Sequence, residues 1–261
     1  MGSLEHLISG LSSLRKAATL NIASQLVSLA AVGFLFIALF SFVAALITAP
    51  ARPARLIDEL LRPGVLAPLA TVLALFLIAA ILGLLATFAF LVPGVGKLAK
   101  WSGAFETPAK LVKWGYWSAL ILGALALLVV VASFAPLIQA ILQQARPEPR
   151  AFALQLVSGL FAALALAVLA GIANLIGFAG LVIALFGLSS QTKVEGFKVG
   201  AILLIVGFAL NLASALPGTF WVSLLAVVAT LVGWIFARDA AGKALAAASI
   251  PPPPPPPSAS A

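Results

Sequence analysis

Charge is missing from this chain for more than 30 residues at a time. Charged side chains stop at Lys16 and resume at Arg52, stop at Arg62 and resume at Lys97, and stop at Lys113 and resume at Arg146. Two more uncharged runs follow, Ala151 to Thr192 and Val199 to Ala237. A water-soluble fold needs a charged exterior, whereas a surface facing hydrocarbon must itself be apolar. With 63% of residues apolar and 8% charged, against roughly 25% charge in soluble domains, the solvent for most of this chain is a bilayer.

A helix needs about 20 apolar residues to cross about 30 Å of hydrocarbon. The last uncharged run is broken by Leu216-Pro217-Gly218, a strong turn signal, and so reads as two spans. Spans are expected at 20–48, 65–92, 116–142, 152–173, 197–215 and 219–237. Runs such as Val72 to Leu82 are apolar on every side, where membrane strands would alternate. The fold class is therefore all-α, a polytopic transmembrane helix bundle of about six spans. A seventh span stays open, because 152–188 is too long for one straight crossing. A break is expected at Asn174, with Leu175 to Leu188 forming a re-entrant segment, a seventh span or the rest of a tilted helix.

Three parts follow along the chain. Residues 1–19 carry Leu4, Leu7, Ile8, Leu11 and Leu14 at helical spacing and read as an amphipathic helix leading into the first span, an uncleaved anchor. Residues 20–248 are the transmembrane bundle. Residues 249–261 form a proline-rich tail, in which Pro251 to Pro257 dictate a polyproline II rod of about 22 Å, read as a solvated spacer in preference to a docking arm.

The six-span topology places ten lysines and arginines on one side and five on the other. By the positive-inside rule, both termini are expected in the cytoplasm of a cell-membrane protein. The loop from Gly94 to Lys113 supplies four of the ten, Lys97, Lys100, Lys110 and Lys113. Its mixture of lysines with Trp101, Trp114 and the nearby Trp117 reads as an interface belt on anionic headgroups and not as a nucleic-acid site. Trp221 and Trp234, 13 residues apart, are expected to anchor the two faces of the last span.

Chemistry has little to work with. The chain has no cysteine and one histidine, His6, and lacks dinucleotide, phosphate-loop, zinc-protease and serine-hydrolase motifs. Every acidic residue lies in a loop or terminal segment, and the Asp58–Glu59 pair is flanked by Arg55 and Arg62. No catalytic residue, cofactor or metal ligand is expected, and the protein reads as not an enzyme. The candidate intramembrane polar positions are Asn174, Asn211, Ser133 and Gln155, which could line a neutral path or bond between helices. Small residues recur at packing spacing in Gly196/Gly200 and in Gly177, Gly180, Ala184 and Gly187. They let helices approach closely without saying whether the neighbour belongs to this chain or another.

The segment Gly177-Phe-Ala-Gly-Leu-Val-Ile-Ala-Leu-Phe-Gly-Leu188, the short polar loop after it, Lys198-Val-Gly-Ala-Ile-Leu-Leu-Ile-Val-Gly207 and the terminal proline tract resemble an archaeal family of multi-pass membrane proteins of unknown function. Lys113-Trp-Gly115 echoes Lys198-Val-Gly200 at the entry to two spans. The resemblance implies an archaeal membrane and no activity. The expected role is a structural or assembly component acting through helix packing against membrane lipid, a second copy or a membrane-protein partner. The alternative is a passive channel or carrier for a neutral or apolar solute.

Overall fold

The computed structural model describes residues 3–48, 63–142, 149–214 and 220–249, which are helical almost throughout and contain no strand. The expected loops at 49–62, 143–148 and 215–219, the Asp58–Glu59 pair and the proline tail lie outside the described residues. Helix α1 runs Leu4–Thr48, and α2 runs Pro63–Leu84. A π-helical segment, Leu85–Leu91, continues α2 into α3, Val92–Trp101. After a 3-10 turn at Gly103–Phe105 come α4 (Glu106–Leu142), α5 (Pro149–Thr192), α6 (Gly196–Ala213) and α7 (Phe220–Ala248). Among the described residues, six helices are long and apolar enough to cross a membrane, with α2, the π segment and α3 counting as one. The chain is a multi-pass membrane protein.

Proline opens α2 and α5, where its missing N–H costs no intrahelical bond. At the other end of α5, Lys193 takes φ 58° and turns the chain toward α6. Consecutive helices then pair as hairpins, α1 with α2, α4 with α5, and α6 with α7. Contacts of α1 with α7 and α3, of α3 with α4, and of α5 with α6 close these hairpins into a ring.

Packing is concentrated at one end of that ring. Its largest fully buried side chains belong to one cluster, drawn from the first half of α1, the π segment and α3, the start of α4, the last turns of α5, the start of α6 and the second half of α7. Leu11, Leu14, Leu98, Phe105, Leu185, Leu188 and Phe197 are its centre. The end that holds this core also carries the chain's N-terminal helix, both described turns and the end of α7. The ten basic residues expected on one side are therefore together in space.

One expectation is revised. The fourth apolar stretch has no interruption: α5 passes through Asn174 as a single 44-residue helix, about 66 Å long at 1.5 Å per residue. Re-entrant and seventh-span readings of Leu175 to Leu188 fall with it. The physical reason is that the stretch is apolar for two different causes. Its first part presents Leu154, Phe161, Leu164 and Ile172 outward, as a lipid-facing span does, whereas Leu181, Leu185 and Leu188 are buried in the protein core. From Leu4 onward, the N-terminal helix runs without a break into the first span as one 45-residue helix. Leu7, Leu11 and Leu14 of its apolar stripe pack against the protein.

The glycines just beyond Asn174 let α5 approach α4 closely. A Cβ on Gly115 would strike the backbone of Gly177, and one on Gly180 would meet Leu111, Val112 and the Pro108 carbonyl. Gly187 faces the Phe105 ring. On α6, Gly196 lies against Ala240 and Gly200 against Gly233 and Ala237 of α7. The repeated Lys-x-Gly entries thus share a use, since Gly115 and Gly200 both sit where two helices cross. Both small-residue stripes face neighbours within this chain.

Candidate functional site

A cavity of about 380 Å³ opens where α1, α6 and α7 diverge below the core. Its wall is mostly apolar, built from Leu29, Val32, Leu204, Val227 and Trp234, with Phe178 of α5 stacked on Phe208 at 5.0 Å between ring centroids. Four neutral polar side chains interrupt that wall: Gln25 and Ser28 from α1, Asn211 from α6 and Thr230 from α7. Helical spacing explains the first two, because Asn21, Gln25 and Ser28 at i, i+4 and i+7 share one face of α1. Asn21 turns back to its own helix, its Nδ2 donating to the Ala17 carbonyl at 3.0 Å.

Gln25 stands apart energetically. Its Oε1 is buried and has no hydrogen-bond partner, and a buried polar oxygen left unpaired costs about 1–3 kcal/mol. Thr230 Oγ1 donates to the Ala226 carbonyl at 2.8 Å, which settles its proton and leaves its oxygen able to accept. Ser24, beside Gln25, points elsewhere: its hydroxyl donates to the Ala79 carbonyl of α2 at 2.8 Å and ties the first hairpin together. The site is uncharged. It offers acceptors within an apolar wall, an arrangement suited to holding one donor group and an apolar body and unsuited to moving a proton.

Of the candidate polar positions, only Asn211 reaches this cavity. Asn174 and Gln155 are exposed along α5, and neither lines the cavity. Ser133 is buried, donates to the Val129 carbonyl at 2.7 Å and packs against Gly159 where α4 meets α5. Gln25, Ser28 and Thr230 were not among the candidates. The signal that finds the first two is the polar stripe in α1, whereas Thr230 joins them only through the packing of α7 on α6.

The tryptophans also divide. Trp114, Trp117 and Trp221 are exposed, and Lys113 Nζ lies over the Trp114 ring, 5.8 Å from its centroid. Trp101 stacks on Phe105 at 5.8 Å. Trp234 differs from the expectation of an anchor, because it is only 7% exposed and faces the core and the cavity. Among the described residues, no group of three or more His, Asp or Glu side chains gathers as metal ligands would. Comparison with protein-family models, with curated proteins and with solved structures finds no match to this chain.

Proposed function

We propose that this protein is a non-enzymatic cell-membrane protein that binds a neutral amphiphile carrying a hydroxyl or N–H donor in the cavity between α1, α6 and α7. The observation that carries the reading is the unpartnered Gln25 Oε1 in the wall of an otherwise apolar cavity. A ligand that donates one hydrogen bond there and buries an apolar chain against Val32, Phe208 and Trp234 relieves that cost and excludes water. The reading falls within the carrier class, with binding as its first step. Cytoplasmic termini belong to the same proposal and rest on the positive-inside count.

Assembly through helix packing was motivated by the glycine stripes, and these stripes are occupied by the chain's own helices. Its remaining support is the apolar outer face of the spans, which membrane lipid covers equally well. The likeness to an archaeal membrane family adds no activity to either reading.

Trp234 supplies the test. In a variant with phenylalanine at the other four tryptophans, bromoundecanol is expected to quench Trp234 saturably in mild detergent, and bromoundecane to quench it only weakly. Replacing Gln25→Leu should weaken the alcohol's affinity roughly fivefold, the worth of one hydrogen bond. Equal quenching by the bromoalkane, with no effect of Gln25→Leu, would remove the reading.

A further inference from the structure

The basic end of the bundle carries a second cavity, of about 750 Å³, where α1, the π segment and α7 meet. Arg15, Lys16 and Arg238 stand around it, and its apolar lining comes from Leu20, Leu85, Phe90 and Leu245. Arg15 and Lys16 immediately precede the uncharged run of α1, and Arg238 immediately follows that of α7. The cavity therefore lies at the hydrocarbon boundary of both helices, with cations on one side and apolar side chains on the other.

Two features mark it as built for an anion. Among the described residues, the one acidic group nearby, Asp239, is taken by Lys243 at 2.8 Å, and Arg15, Lys16 and Arg238 have no ion pair. The wall opposite is the π-helical stretch, in which the Val92 N–H donates to the Thr87 carbonyl five residues back. Such segments widen a helix locally and recur at binding sites. Lys16 Nζ sits 5.8 Å from the centroid of the Phe90 ring on that wall, drawing the cation toward the cavity.

We propose that Arg15, Lys16 and Arg238 bind the phosphate of an anionic lipid, with the lipid's acyl chains lying along Leu20, Leu85 and Phe90. Arginine suits the task because its planar fork can give two parallel N–H donors to one phosphate. A free phosphate shares the charge, but it has no use for the apolar wall, which is why the lipid is the occupant inferred.

The test uses the full chain in mild detergent, with native mass spectrometry and thermal unfolding as readouts. Phosphatidylglycerol is expected to bind and to raise the melting temperature, and phosphatidylcholine and inorganic phosphate to do neither. Each basic group near an anionic headgroup contributes about fivefold in affinity, so the Arg15→Gln, Arg238→Gln pair should weaken phosphatidylglycerol binding by roughly 25-fold. Arg15→Lys with Arg238→Lys, which keeps the charge, should retain part of the binding and guards against loss of fold. Lys110→Gln with Lys198→Gln removes the same charge elsewhere on this end and should leave binding within about twofold, since distant exposed charges are screened. An equal loss in that control pair would reduce the effect to general surface charge and overturn the site. An equal response to inorganic phosphate would overturn the lipid as its occupant.

Discussion

Lys193 holds one of the tightest backbone positions in the molecule, with φ 58° immediately after the last residue of α5. Side chains with a Cβ pay about 1–2 kcal/mol in the left-handed region, and glycine does not. Lys193→Gly should therefore raise stability by about 1 kcal/mol, and Lys193→Val should lower it, in thermal unfolding of the detergent-solubilised protein. A lower melting temperature for the glycine variant would contradict the assignment of strain. Nothing in Thr192-Lys193-Val194 announces this turn, because the usual glycine is absent. Single polar residues were similarly hard to read. Asn211 and Gln25 share a cavity and Asn174 lies outside it, a distinction set by which side of a helix faces a neighbour and not by residue type.

Helix α5 shows what an element can conceal. Its glycines look alike in sequence, yet they differ in what surrounds them: Gly177 meets Gly115 of α4 backbone to backbone, whereas Gly171 has open space around it. Gly115→Ala should force α4 and α5 apart and cost about 1–3 kcal/mol. Gly171→Ala should instead stabilise the helix by about 0.5–1 kcal/mol through the lower entropy lost on folding. Thermal unfolding of the two variants separates them, and a matching destabilisation by Gly171→Ala would show that helix bending, not close approach, is the use of glycine here. The existence of each long helix was legible from its uncharged run. The continuity of α5 was not, since burial in lipid and burial in protein select the same side chains.

At the scale of the whole molecule, charge and packing coincide. The end that carries Arg15, Lys97, Lys113, Lys198 and Arg238 is also the end with the buried core. Lys97 Nζ donates to Ser13 Oγ at 3.4 Å, joining α3 to α1, and Gln191 Nε2 to Ser102 Oγ at 3.3 Å, joining α5 to the turn before α4. If that end faces the cytoplasm, single cysteines at Ser102 and Ser249 should resist a membrane-impermeant maleimide on intact cells. One at Ser214, at the far end of α6, should label. The chain has no native thiol to confuse the readout. Labelling at Ser102 and Ser249 with protection at Ser214 would reverse the orientation.

The uncharged runs by themselves determined that the chain is helical, that it lives in a bilayer and that it crosses about six times. In hydrocarbon only a helix or a closed barrel satisfies its own backbone hydrogen bonds, and stretches apolar on every side lack the alternation of barrel strands. The clustering of ten cations on one side was legible too, because each crossing switches sides and an even number brings both termini to the same one. Tertiary structure alone decided where the protein packs against itself. Leu185 and Leu164 lie on one helix and look equivalent in sequence, but the first is fully buried and the second exposed. The cavities follow from the same cause. Gln25 and Asn211 are 186 positions apart, and only the ring closure of α1 on α7 and α7 on α6 brings them to one wall.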